Sequence, residues 1–294
     1  MRVTVTGGGG LIGTSVVAAL RARGDEVTVL SRSGSGATVR WDPLAGPAPA
    51  DALDGRDGVI HLAGEPIAQR WSTAVREAIR ASRTSGTANL VAGIEAAPQR
   101  PQVLVSASAV GFYGDRGDER LTEDSAPGDG FVAEVCVAWE QAALAARELG
   151  LRVCVLRTGV VLDRHGGALA KMLPPFRMGV GGPVAGGRQF ISWIGLGDLA
   201  QLYLAALDDA RFDGPLNATA PTPVTNADFS RALGRALHRP AALPVPAAAL
   251  RLLYGPMAEI VTGGQNVIPA RLLELGHSFE RPDLDGALAE ALAR

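Results

Sequence analysis

Four consecutive glycines, Gly7 to Gly10, separate an alternating β-branched run from an apolar run at helical spacing, and this juxtaposition restricts the possible folds more than any other feature of the chain. Residues 2 to 6, Arg-Val-Thr-Val-Thr, read as a strand. From Leu11 to Arg23, apolar side chains recur at Leu11, Ile12, Val16, Val17 and Leu20, the period of a helix. Gly24 is placed to end that helix in a left-handed cap, and Glu26 to Leu30 supply the next strand. Together these make a βαβ unit, with its turn in the place where a dinucleotide diphosphate binds.

The spacing Gly7, Gly10, Gly13 is G-x-x-G-x-x-G. Gly7 permits a tight bend after the strand, Gly10 lets backbone approach a phosphate, and Gly13 lets the helix pack close to the sheet. The N–H groups at the helix start, from Leu11 and Ile12 onward, then face the anion. A glycine-rich turn with no ligand is the competing reading of the same residues.

The end of the second strand selects the cofactor. An NAD site usually carries Asp or Glu about twenty residues beyond the glycines, to accept from the ribose 2′-OH. Here that place holds Leu30-Ser31-Arg32-Ser33, with a guanidinium and no carboxylate. Arginine matches phosphate in charge and in fork geometry. Ser31 and Arg32 therefore predict NADP(H) over NAD(H), against the alternative that Arg32 is a solvated surface residue.

A chain of 294 residues with 47% hydrophobic and 20% charged residues can bury a large core. Its net charge of −2 offers no attraction for nucleic acid or an anionic membrane. Cys136 and Cys154 lie far apart in sequence and form no C-x-x-C, so they read as buried thiols; no metal site is expected. The chain opens directly on a strand and has no apolar run of membrane-spanning length, so a soluble, cytoplasmic protein is expected.

Alternating strands and helices continue through the first two-thirds. Residues 37 to 41, 57 to 62, 102 to 107 and 152 to 157 read as strands, and 72 to 96 and 134 to 149 as helices. This is an α/β fold of the doubly wound, Rossmann type, with a parallel sheet. Between residues 158 and 195, Gly166-Gly167, Pro174-Pro175 and the glycines from Gly179 to Gly187 predict loops that cover the cleft. Leu196 to Leu207 reads as a helix, Leu216 to Ala218 as a strand, and Thr225 as the cap of a helix to Leu237. The predicted division is a cofactor-binding domain over 1–239 and a small, mostly helical lobe over 240–294.

These residues resemble a known family. Thr6-Gly7-Gly8-Gly9-Gly10-Leu11-Ile12-Gly13 is similar to the opening of the extended short-chain dehydrogenase/reductases, the NAD(P)-dependent epimerase/dehydratase group. His61-Leu62-Ala63-Gly64 resembles that group's second fingerprint, and Ser106 to Gly114 its strand-five motif. Arg157 to Leu162, Gly166 to Leu169, Ser192-Trp193-Ile194 and Asn217 to Pro221 resemble one epimerase-like subfamily whose small C-terminal domain has unknown function. The resemblance spans essentially the whole chain. It implies that the cofactor contacts Leu62, Ala63, Gly64 and Ser106 as well as the glycine turn.

The same resemblance exposes a gap. Family members carry Tyr-x-x-x-Lys on one helix face, the tyrosine exchanging a proton and the lysine lowering its pKa and holding the nicotinamide ribose. Aligning Trp139-Glu140 with the family's helix puts Val132 in the tyrosine's place and Cys136 in the lysine's. The candidates left for chemistry are Ser108, which matches the serine that hydrogen-bonds the substrate oxygen but also suits a strand-end cap, and Tyr113, a displaced proton donor or a packing residue. Glu134 at a helix start and Arg188-Gln189 in a loop are weaker candidates. His61 suits a backbone-satisfying role, and Arg80 and Arg83, on the helix beside Trp71, read as a solvated face.

Two functions compete. The first is an NADP(H)-dependent oxidoreductase or epimerase-like enzyme acting on a small polar or sugar-like substrate. The second is a non-catalytic NADP(H) sensor or scaffold, which the missing pair favours. The resemblance also implies a homodimer, built through the helices over 72–96 and 134–149.

Overall fold

The computed structural model describes residues 1–34 and 38–293. Along the chain run β1 (Arg2–Thr6), α1 (Leu11–Ala22), β2 (Glu26–Ser31), β3 (Thr38–Arg40), β4 (Gly58–His61), α2 (Thr73–Ala96), β5 (Val103–Ala109), β6 (Arg120–Leu121), α3 (Phe131–Leu144) and β7 (Arg152–Thr158). Then come β8 (Val160–Leu162), α4 (Gly167–Arg177), β9 (Phe190–Ile191), β10 (Trp193–Gly195), α5 (Leu196–Asp208), β11 (Gly214–Ala218), β12 (Val224–Thr225) and α6 (Asn226–Leu237). The final segment holds α7 (Ala247–Tyr254), α8 (Ala258–Thr262), β13 (Asn266–Val267), α9 (Ala270–Glu274) and α10 (Leu284–Ala293). Ala37, expected to begin the third strand, lies outside the described residues.

Seven strands pair in parallel in the order β11-β7-β5-β4-β1-β2-β3. This is the expected doubly wound sheet. Its order reverses between β1 and β4, where Thr6 stands opposite His61 at the strand ends. In such sheets the crevice beyond the carboxyl ends at the reversal receives the ligand.

Strand alternation builds a core on each face of the sheet. Val3, Val5, Ile60, Val105 and Leu156 point to the side covered by α1 and α5, where they meet Val16, Leu20 and Leu202. Val59, Leu104, Val153 and Val155 point to the other side, against Leu90 and Ile94 of α2 and Ala143 of α3. Burying each such Val or Leu contributes roughly 1.5–3 kcal/mol.

Helix ends follow the sequence. Gly24, at φ +88°, ends α1, with Asp25 N–H reaching back to Leu20 O at 3.0 Å. Ser72 Oγ caps α2 by accepting from Val75 N–H at 3.2 Å, and Thr225 Oγ1 caps α6 by accepting from Asp228 N–H at 3.1 Å. The helix expected over 134–149 begins earlier, at Phe131, and tightens to a 3₁₀ turn over Ala145–Leu149 before Gly150.

The segment over 158–195 is more regular than its glycines and prolines suggest. It contains α4, whose last turn tolerates Pro174 and Pro175 because Leu169, Leu173 and Phe176 are buried at helical spacing. Packing outweighs the loss of two N–H donors, which in any other residues would bond the carbonyls of Ala170 and Lys171. Parallel β8 and β10 pair beside it. The C-terminal segment is mostly helical and is stitched to the rest: β13 pairs with β6, and Ala287, Leu288 and Ala291 of α10 join Leu169 of α4 and Phe229 of α6 in one core. No helix is long and apolar enough to cross a membrane among the described residues.

Candidate functional site

The glycine turn sits at the reversal of the sheet. Gly7 has φ +70°, and a Cβ there would lie 2.7 Å from Ala63 N and Leu62 C. A Cβ on Gly13 would strike Gly7 O, so helix and turn could not close together with any other residue at that position. Gly9 faces open space, with nothing within 4 Å of its Cβ position. The first helical bond runs from Thr14 N–H to Gly10 O at 2.8 Å. The N–H groups of Leu11, Ile12 and Gly13 therefore precede the helical ladder, as the orphan donors of any helix start do.

The neighbouring strand end is held by a buried trio. Thr6 Oγ1 lies 2.7 Å from His61 Nδ1, and His61 Nε2 lies 2.9 Å from Thr87 Oγ1. Thr6 Oγ1 also accepts from the N–H groups of Leu62 and Ala63, each at 3.2 Å. Complete burial, with the nearby Arg83 charge second, pushes His61 down to about 4, so its ring is neutral at physiological pH. His61 thus shapes the loop over Leu62 to Gly64, through Thr6.

Around these elements lies a cleft of about 350 Å³. Gly7 to Gly10 form its base, with Leu30, Ser31 and Arg32 on one bank and Leu62 to Pro66 on the other. Trp41 to Leu44 close one end, and Ala78 and Ser82 of α2 add to the lining. Of the predicted cofactor residues, Gly7, Gly10, Ser31, Arg32, Leu62, Ala63 and Gly64 meet here. Leu11, Ile12 and Gly13 start the helix beside them without lining the cleft, and Ser106 is buried, its hydroxyl donating to Ala107 O at 3.2 Å. Arg32 is exposed and makes no hydrogen bond or ion pair to a described residue. Sequence reasoning missed the Trp41–Leu44 wall. Its signal was an aromatic residue and Asp-Pro directly after a short strand; Trp41 Nε1 donates to Gly46 O at 3.0 Å, and Asp42 Oδ1 accepts from Leu44 N–H at 3.1 Å.

Ser108 and Tyr113 do come together, but inside the core. Ser108 Oγ donates to Glu140 Oε1 at 2.7 Å. Arg157 grips the same carboxylate, Nε to Oε1 at 2.9 Å and Nη2 to Oε2 at 2.8 Å. Its Nη1 donates to Tyr113 Oη at 2.9 Å, and Tyr113 donates to Asn217 Oδ1 at 2.7 Å. Ser108 is 3% exposed and Tyr113 0%. Burial raises the Tyr113 phenol above its usual range despite the Arg157 charge, so the hydroxyl holds its proton. The guanidinium also stacks on Phe112, 3.5 Å from the ring centroid.

On α3, Val132 packs against Gly111, and Cys136 is buried, burial pushing its thiol up to about 12. Valine has no proton to exchange, and the protonated thiol carries no positive charge. The two cysteines are free thiols, and no cluster of metal-ligating side chains occurs among the described residues. The exposed Glu134 is paired with Arg80 at 3.1 Å, and Gln189 Nε2 donates to Val184 O and Val261 O at 3.0 and 3.2 Å. Gly166 rests on Leu11 at the start of α1, and Lys171, the single lysine of the chain, donates from α4 to Ala68 O. That contact ties α4 to the loop following β4.

A base of backbone amides, open at Gly9 and closed by backbone at Gly7 and Gly13, suits an extended anion such as a diphosphate. The comparisons with known proteins agree with this geometry. Human epimerase family protein SDR39U1 is 40% identical over 298 residues, covering all of both chains. Its crystal structure with NADPH superposes with a TM-score of 0.92 at 39% identity, covering 100% of this chain and 99% of that one. A nucleoside-diphosphate sugar epimerase from Corynebacterium glutamicum gives a TM-score of 0.81 at 39% identity, covering 99% of this chain and 58% of that one. A domain of unknown function matches residues 245–291, and the NAD dependent epimerase/dehydratase family matches residues 3–217. The chain belongs to the NAD dependent epimerase/dehydratase family.

Proposed function

We propose that this chain binds NADP(H) and is an oxidoreductase or epimerase-like enzyme for a small polar or sugar-like substrate. The observation that carries this reading is Arg32, an exposed guanidinium on the cleft bank at the place where an NAD site would hold a carboxylate. The NADPH in the human relative's structure supports it, and the sugar-nucleotide epimerase named above supports the substrate class.

When bound, the cofactor supplies hydride transfer. Gly7, Gly10 and the helix start of Leu11, Ile12 and Gly13 hold its diphosphate, Ser31 and Arg32 its additional phosphate, and Leu62, Ala63 and Gly64 its far ribose. Ser106, buried beneath the strand end, supports this floor. Ser108 and Tyr113 act by positioning: through Glu140, Arg157 and Asn217 they fix the end of β5. The cover formed by α4 excludes water, and residues 240–294 form the substrate-side lobe of a two-part chain. A homodimer through α2 and α3 completes the reading.

The second reading, a sensor without turnover, draws on Val132, Cys136 and the sealed hydroxyls of Ser108 and Tyr113. Titrating the protein with NADPH and NADH, then following NADPH absorbance with carbonyl compounds and the epimer composition of sugar nucleotides, separates the readings. Saturable NADPH binding with turnover supports the enzyme, and binding without turnover on any of them supports the sensor. Absence of NADPH binding overturns both.

A further inference from the structure

The sequence placed Arg83 on a solvated helix face, yet its guanidinium is turned inward. Nη1 donates to Glu65 O at 3.0 Å and to Ile79 O at 3.3 Å. The group lies against Gly64, whose Cβ position is 3.4 Å from Arg83 Cζ and 3.5 Å from both Nη atoms. It also stacks over Trp139 of α3, 5.0 Å from the ring centroid. Nε and Nη2 make no hydrogen bond to a described residue. Arg83 thus stands where α2 faces α3, under the bank of the cleft formed by Gly64 and Glu65.

The electrostatic surroundings locate it further. The Arg83 charge is felt at Cys136 and at His61. Cys136 occupies the α3 position at which a lysine is expected, and its buried thiol carries no charge. One cation is therefore missing from α3, and another reaches the same junction from α2. Guanidinium donors are fixed in a planar fork and stay charged, which suits a vicinal diol or a phosphate oxygen.

We propose that Arg83 is the cofactor-positioning cation of this chain, supplying from α2 the fixed positive charge beside the nicotinamide-side ribose that α3 lacks. This inference rests on the NADP(H) reading above. It also accounts for the unpaired Nε and Nη2 donors, which are free to meet ribose oxygens beyond Gly64.

The test compares Arg83→Gln, which keeps a donor for Glu65 O but loses the charge, with Arg83→Lys, which keeps the charge. Two probes are titrated: NADPH, and adenosine 2′,5′-bisphosphate, which carries only the adenosine half. The expected result is at least a tenfold weaker NADPH affinity in Arg83→Gln, bisphosphate affinity within about twofold of the parent, and NADPH affinity within about threefold in Arg83→Lys. Unchanged NADPH affinity in Arg83→Gln, equal losses in both variants, or a parallel loss of the bisphosphate would overturn the proposal. Arg83→Met replaces the glutamine variant if the latter shows no cooperative melt. A parent protein that binds neither probe refutes the NADP(H) reading itself.

Discussion

Arg157 and Glu140 form a two-pronged buried ion pair between β7 and α3, with both side chains about 5% exposed. Burial alone would lower the arginine's pKa, but the Glu140 hydrogen bonds and charge raise it, so the guanidinium is charged in the folded protein. Ser108 and Tyr113 hang on either side of it. The pair therefore anchors the end of β5 to α3 and β7.

Removing one partner leaves the other charged, buried and alone. Glu140→Ala is expected to destabilise the fold by about 3–5 kcal/mol. Ser108→Ala removes one hydrogen bond to a charged acceptor and costs about 1.5–3 kcal/mol. Urea unfolding of both variants measures the difference. A Glu140→Ala loss below that of Ser108→Ala would contradict the assignment of Arg157–Glu140 as the centre of the network.

Gly13 has no room for a methyl group. Gly13→Ala forces α1 away from the turn, because the new Cβ would strike Gly7 O. Overpacking of this kind costs about 1–3 kcal/mol. It also misaligns the helix start, so NADPH affinity is expected to fall more than tenfold while the protein still folds. Gly9→Ala, with nothing within 4 Å of the Cβ position, is the control for stability: its melt is expected to match the parent. Calorimetric melts with and without NADPH check both.

Stability depends on pH through His61. Its folded pKa is about 4, below its ordinary 6.5, so the unfolded chain binds the extra proton between these values. The contribution is fully present above about pH 6.5 and is lost as pH falls towards 4, for a total on the order of 3 kcal/mol. His277, lowered by partial burial, acts in the same direction. His61→Gln is expected to flatten the profile between pH 4 and 6.5, measured as urea midpoints across buffers. An equally steep profile in the variant would assign the acid sensitivity elsewhere.

The elements that line the cleft were legible because their rules are local. The glycine turn, Gly24 and Arg32 each act within a few residues of their own position, so spacing alone reveals them. The catalytic candidates were not, because their meaning depends on contacts across the fold. Tyr113 reads as a displaced proton donor or a packing residue until Asn217, 104 positions away, is placed on its hydroxyl. Arg83 reads as a polar helix face until Trp139 and Gly64 close around it. Pro174-Pro175 misled for a related reason: their tolerance rests on the buried Leu169, Leu173 and Phe176, which only tertiary packing makes decisive.

Equilibrium titration of the parent protein and Arg32→Ala with NADPH and NADH measures whether the guanidinium at the end of β2 reads a phosphate. The parent is expected to bind NADPH saturably and in preference to NADH. In Arg32→Ala, NADPH affinity should drop by tenfold or more, from loss of charge-assisted bonds worth about 1.5–3 kcal/mol, with NADH affinity unchanged. Equal affinity for the two cofactors in the parent, or NADPH binding indifferent to the substitution, would contradict it.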